Sequence, residues 1–536
     1  MRAKRASTRL LRGLAVIATM LLTTACQIPP DVLHIPQYIY QSLTNPNFVV
    51  NAPVVHDLLG VSRGLPDKDV QQARFRLPPG FVMNVYAEGL TLARFMRVTP
   101  RGDLIVSQTR KQRIVLLTRD ADGDGRADEQ RTLLEGLHRP HGVELVGDQL
   151  YVAGPGYILR VGFDVEAGEI RGESEIFAEL PDLLGHSYRP LRLGPDGWLY
   201  TAIGADCNVC EPTSERDQTI LRFDLETGRE EIVASGFRNV AHFDWQPGTG
   251  AMFATEVGVD YQGEEFPLEE LNEIETGAFY GFPYLHGPNY IDPELAPGNE
   301  ARIADAKPPA HTFTAHSTPL GMTFLRNGAL PEEYRGAALV SLKGSWNRER
   351  KSGYKVVSLH WIDDAAGGRI EQREFVTGFE RDEHVIGRPV DIVEGPSGAL
   401  YLSDDMAGAI YRIRYDPEAL AAAEVGNENL FALQLKAAAN PVNTLEQPND
   451  AERTELTQQG EELFERHACG ECHLSTEARK AAVSLEGIAD RRSFEDIVET
   501  LRNPPAAMPR FLLIDEEQRA LAAFVLGHFE RRFASD

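Results

Sequence analysis

Gly102-Asp103-Leu104-Ile105-Val106 reads as a turn glycine followed by an apolar strand, and the same phrase returns five times. It recurs as Gly147-Asp148-Gln149-Leu150-Tyr151-Val152, Gly197-Trp198-Leu199-Tyr200, Gly250-Ala251-Met252-Phe253-Ala254, Gly336-Ala337-Ala338-Leu339-Val340 and Gly398-Ala399-Leu400-Tyr401-Leu402. Successive glycines stand 45, 50, 53, 86 and 62 residues apart. Such steps suit one four-stranded blade each, the longer ones holding insertions, so six phrases predict a six-bladed β-propeller. Runs such as Tyr157-Ile158-Leu159-Arg160-Val161 and Ile220-Leu221-Arg222-Phe223 follow as the next strand of an antiparallel meander. A pair of β-sandwiches with hairpins at similar spacing is the alternative. Recurrence over more than 300 residues favours the propeller.

Outward from this region, 77–415, the character of the chain changes on both sides. Arg2, Lys4, Arg5, Arg9 and Arg12 precede or interrupt an apolar run from Leu10 to Leu22, which ends in Leu22-Thr23-Thr24-Ala25-Cys26. Residues 1–26 therefore read as an export signal, and its end resembles a bacterial lipoprotein box with Cys26 as the lipidated residue. An ordinary signal peptide with an incidental thiol is the alternative. The expected place is the periplasm, with a lipid anchor in the outer membrane. Residues 27–76 form an N-terminal extension, and no later stretch is long and apolar enough to span a bilayer. A net charge of −26 argues against a nucleic-acid partner. Residues 416–454, rich in Ala and then in Asn and Pro, read as a linker.

After the linker, residues 455–532 read as a small all-α domain. Leu456, Leu463 and Phe464 share one helical face and lead into Cys469-Gly470-Glu471-Cys472-His473. In a C-x-x-C-H motif two thiols bind haem covalently and the adjacent imidazole ligates the iron. A Pro-rich segment with Met508-Pro509 follows, then a terminal helical pattern from Asp515. The segment resembles a class I cytochrome c, which implies His473 and Met508 as the axial ligands of a haem c. His467 and His528 are the rivals for the distal position.

Within the propeller, His186 stands in Gly185-His186-Ser187, just before a blade phrase. Oxidising an alcohol by hydride transfer needs a base for the hydroxyl proton, and histidine suits that task. A lone histidine is also a common satisfied loop residue. Arg238 in Gly236-Phe237-Arg238-Asn239, Lys343 before Gly344-Ser345-Trp346-Asn347-Arg348, and Arg388 in Gly387-Arg388-Pro389 are cations at expected strand starts, each of which alone is an ordinary surface charge.

Together with Gly194-Pro195-Asp196-Gly197, Tyr280-Gly281-Phe282-Pro283 and Ala315-His316-Ser317, these phrases make residues 77–415 resemble the soluble pyrroloquinoline quinone (PQQ) dependent sugar dehydrogenases, sorbosone dehydrogenases most of all. The resemblance implies His186 as catalytic base with Arg238 beside it. It implies Lys343, Arg388 and Asn239 as holders of PQQ, whose carboxylates need cations. Calcium is implied on the carbonyls of Gly258 and Val259, with a second acidic site at Glu270 and Tyr280. Val390 departs from the pattern, standing where the family usually has a second arginine.

Two motifs lie outside that scheme. Cys207-Asn208-Val209-Cys210 lacks a following histidine, and in an exported protein it reads as a disulfide rather than a haem site or a redox-active pair. Asp120-Ala121-Asp122-Gly123-Asp124-Gly125 has the spacing of a calcium loop but reaches Arg131 at the twelfth position, so a plain hairpin turn is the equal alternative. Joined, the two halves predict a quinohaemoprotein that oxidises a sugar or polyol and passes electrons through haem to a periplasmic cytochrome or oxidase. A carbohydrate- or protein-binding propeller carrying a cytochrome is the rival, and a calcium-dependent lactone hydrolase leaves the haem without a role.

Overall fold

The computed structural model describes residues 62–419 except 184, 289, 349 and 363–367, and then 456–461, 463–464, 485, 488, 492, 494–502 and 515–530. Cys26, His467, Cys469, Cys472, His473 and Met508 lie outside the described residues.

Six four-stranded antiparallel sheets follow one another along the chain. The strand that begins each recurring phrase is the second of its blade: Leu104–Gln108, Gln149–Gly154, Leu199–Ile203, Met252–Glu256, Ala338–Leu342 and Leu400–Asp404. Each is buried along almost its whole length, because neighbouring blades cover both of its faces. An unbroken apolar run is what such a strand requires. The glycine opening each phrase has φ between 61° and 91°, a left-handed turn conformation that a side chain disfavours.

The ring is closed by strands from the two ends of the domain. Phe81–Ala87 pairs with Ala409–Tyr415, Phe81 opposite Tyr415, and so supplies the outer strand of the sixth blade. Phe81 meets Tyr334 at 5.2 Å, Phe375 at 5.0 Å and Tyr415 at 5.4 Å, each edge to face. Aromatic pairs of this kind contribute about 0.5–1.5 kcal/mol each beyond the area they bury. On the axis, Phe95, Ala241, Leu320 and Val390 form an apolar plug.

The chain divides into two compact units at Val425. In the second, most of the described residues are helical, with helices Phe494–Arg502 and Asp515–Glu530. Phe464, Phe494, Val498 and Phe524 belong to its core. A Cβ on Gly460 would overlap the Ala520 carbonyl oxygen, so the helical residues 456–461 pack directly against the last helix. Among the described residues no helix is long and apolar enough to cross a membrane.

Candidate functional site

The loops at one end of the propeller axis enclose a cavity of about 260 Å³. His186, Arg238, Asn239, Gly258, Lys343 and Arg388, all singled out from the sequence, line it. They come from five different blade junctions or loops, so only the closed ring brings them together.

His186 lies on the connection from blade 2 to blade 3. Its Nδ1 is 2.7 Å from the Ala205 carbonyl oxygen, and its own N–H donates to the same oxygen at 3.1 Å. A carbonyl only accepts, so Nδ1 carries the proton and Nε2 keeps its lone pair. Burial, and then the Arg238 guanidinium, hold the imidazole neutral by lowering its pKa to about 3.

The cations are anchored by buried carboxylates. Arg388 donates from Nε and Nη2 to the two oxygens of Asp405 at 2.9 and 3.0 Å, and Lys343 Nζ lies 3.2 Å from the same carboxylate. Arg94, from the first strand of blade 1, reaches Asp405 at 3.4 Å and donates to the Tyr188 hydroxyl at 2.9 Å. Position 390 cannot hold a cation comfortably, since Val390 is fully buried in the axial plug; Arg94 brings a third positive charge to the same carboxylate from the adjacent blade. Asp405, Arg94, Tyr188 and Asp260 were not singled out from the sequence. Asp405 directly follows the sixth phrase's strand, and that position was its one available signal.

A second, smaller cavity adjoins the first and is lined by Gly258, Val259, Glu270 and Tyr280 together with Glu256. Burial pushes Glu269 and Glu270 up to about 7 and Glu256 well above the usual carboxylate range, the last two repelling each other. Asn272 Nδ2 bridges Glu256 and Glu270 at 3.0 and 3.1 Å. Such a cluster suits a hard cation with oxygen ligands. The hydroxyl of Tyr280 is committed elsewhere, to the Glu273 carbonyl and the Glu275 N–H, leaving only its backbone for that site.

Cys207 and Cys210 form a disulfide. In the acidic loop, the Asp120, Asp122 and Asp124 carboxylates lie within 4.8 Å of one another. Asp120 accepts from Gly123 and Gly125 N–H at 2.7 and 3.0 Å and from Arg412 at 2.7 Å, the pattern of a hairpin turn tied to blade 6.

A six-bladed propeller with a histidine and anchored cations around an axial cavity defines the class of this protein. The chain belongs to the TrAA12-like family, whose model matches residues 75–416. The fold is shared by the Trichoderma reesei carbohydrate-active enzyme of family AA12, at a TM-score of 0.55 and 18% identity, over 64% of this chain and 98% of that one. It is shared equally by the holo form of the pyranose dehydrogenase PQQ domain from Coprinopsis cinerea, at a TM-score of 0.54 and 19% identity, over 64% and 97%. An uncharacterised protein of Borreliella burgdorferi is 32% identical over 301 residues, 53% of this chain and 78% of that protein.

Proposed function

We propose that the propeller oxidises a sugar or polyol with PQQ and calcium, and that a c-type haem on Cys469 and Cys472, ligated by His473 and Met508, receives the electrons. The observation that carries the reading is a neutral imidazole sharing one cavity with three anchored cations in a strongly acidic chain. The cavity's chemistry fits the cofactor. Lys343, Arg388 and Arg238 offer partners for its carboxylates, and Asn239 Oδ1 is buried with no hydrogen-bond partner among the described residues. Gly258 and Val259 would lend carbonyls to calcium, with Glu256, Glu269 and Glu270 supplying negative charge nearby. When bound, the quinone supplies an electrophilic carbon that accepts hydride.

The protein's own part is to place and charge the groups around that carbon. His186 Nε2 takes the substrate hydroxyl proton, and the Ala205 carbonyl fixes both ring orientation and tautomer. Asp405 orients Arg388 and Lys343 and keeps their mutual repulsion low. The holo PQQ domain from Coprinopsis cinerea, sharing the fold, supports the reading. Export to the periplasm and an outer-membrane anchor at Cys26 complete it, with a periplasmic cytochrome or oxidase as the final acceptor.

The test loads the full chain with PQQ and calcium, adds a panel of aldoses and polyols, and follows the haem optically. Reduction that requires all three additions supports the proposal. Tight PQQ binding with no haem reduction by any substrate would remove the electron-transfer half, and absence of PQQ binding at micromolar concentration would remove the enzyme.

A further inference from the structure

The loop between the second and third strands of blade 3 touches both the base and one of the cations. Its disulfide, Cys207 to Cys210, closes a four-residue ring around Asn208 and Val209. The Asn208 backbone oxygen accepts from Arg238 Nε at 3.0 Å, and its Oδ1 accepts from Arg238 Nη2 at 2.8 Å. That Oδ1 also accepts the Asp260 N–H at 2.9 Å, while Nδ2 donates to the Asp260 carbonyl at 2.9 Å. Val257 and the Asp260 carboxylate take two further guanidinium protons, at 3.2 and 2.9 Å. Four of the five guanidinium donors are thus committed, and one on Nη1 is left for the cavity that Arg238 lines.

Both flanks of the ring serve the same end. Ala205 N–H donates to the Arg238 carbonyl at 2.7 Å, and the Ala205 carbonyl holds His186. Gly185 lies so close to the loop that a Cβ there would overlap the Asp206 carbonyl oxygen. On the far side, Gln218 Nε2 holds the Cys210 carbonyl at 2.8 Å. The Gln218 carbonyl in turn accepts from Gly236 and Phe237, the turn leading into Arg238, at 2.9 and 3.2 Å.

We infer that Cys207-Asn208-Val209-Cys210 is a clip whose disulfide makes Asn208 a positioning residue for Arg238, holding the guanidinium ready for a carboxylate of the bound ligand. The inference rests on the reading of the cavity as a PQQ site. A general stapling role is the weaker account, because the entropy gained by cross-linking grows with loop length and is least for so short a ring. What a short ring does well is to fix the one side chain inside it. With the disulfide open, Asn208 must be ordered afresh each time Arg238 is held, and the guanidinium loses two acceptors together.

Two variants of the full chain test this: Asn208→Ala, and Cys207→Ser with Cys210→Ser. PQQ binding is titrated with calcium present by quenching of tryptophan fluorescence. Exchange of the Arg238 Nε–H is followed by NMR of arginine-labelled protein, assigned with Arg238→Lys. Each variant is expected to weaken PQQ binding roughly tenfold, the loss of one charge-assisted hydrogen bond, and the double serine variant, which also releases the Asn208 carbonyl, is expected to speed Nε–H exchange. Combining them should add little, since both act through the same contact. Unchanged affinity in folded Asn208→Ala, Nε–H protection retained in the double serine variant, or effects that simply add, would overturn the clip. If the wild type binds no PQQ, the reading of the cavity fails, and the exchange measurement alone decides the clip: protection lost in the double serine variant keeps it, protection retained ends it.

Discussion

Arg388 and Asp405 face each other across two parallel hydrogen bonds of 2.9 and 3.0 Å, with the carboxylate wholly enclosed. Because Lys343 and Arg94 lean on the same carboxylate, one negative charge orders three positive ones. Asp405→Asn keeps the shape and removes that charge, leaving three buried cations facing one another. Loss of one partner from a buried ion pair costs about 3–5 kcal/mol. Denaturant unfolding followed by tryptophan fluorescence should show it, since Trp198, Trp245, Trp346 and Trp361 all lie in the propeller. A loss under 1 kcal/mol would mean that water, not Asp405, neutralises the cluster.

His186→Ala should separate chemistry from binding. The imidazole is held by Ala205 and supports none of the cations, so PQQ affinity should change little. Turnover should fall by roughly a hundredfold or more, the usual contribution of a positioned base. Equal losses in affinity and turnover would instead make His186 a wall of the cavity.

Closure of the ring depends on a residue far from the cavity. Phe81 is buried among Tyr334, Phe375 and Tyr415 where the first strand completes the last blade. Phe81→Ala should cost about 3–5 kcal/mol. Hydrogen exchange should localise the loosening to Ala409–Tyr415, because that strand loses its partner first. Uniform loosening of all blades would argue against a distinct closure strand.

For the proposed haem, Met508→Ala should abolish the weak near-infrared sulfur-to-iron band while the haem stays covalently attached through Cys469 and Cys472. A band that survives the substitution would transfer the distal position to His467 or His528.

The inner strands were legible because burial on both faces writes a continuous apolar run, as in Leu400–Asp404. The outer strands were not: Gln130–Glu135 and Glu169–Glu179 are mostly exposed charged and polar residues whose pairing is decided by the strand beside them. The six cavity residues were readable as positions within short phrases. Asp405 was not, since a carboxylate after a strand looks like any turn residue until Arg94, Lys343 and Arg388 arrive from three other segments. Asn208 was hidden for a similar reason: the paired cysteines announced a disulfide, while what lies inside the ring depends on Arg238, 30 residues away. Arg94 was hidden in the same way, because the third cation on Asp405 comes from a different blade.

The axial plug gives the molecule an acid sensitivity with a definite sign. His242 is buried, stacked on Phe95 at 5.7 Å, with Arg192 and Arg97 nearby and Asp244 opposing them. Burial first, and Arg192 next, lower its pKa to about 3. Unfolded histidine titrates near 6.5, so between about pH 6.5 and 3 the unfolded chain binds a proton that the folded one refuses. Stability from this group is therefore complete above pH 6.5 and is lost as pH falls towards 3, on the order of 3 kcal/mol by pH 4. Asp391 and Asp404, raised by burial to about 7 and 6, act in the opposite direction, so the raw pH dependence of unfolding mixes the two. The comparison that isolates His242 is the wild type against His242→Gln, which keeps a polar side chain and cannot titrate. The variant should lose less stability than the wild type between pH 7 and pH 4. Parallel pH profiles for the two proteins would show that His242 is protonated in the folded state, and that the plug admits water.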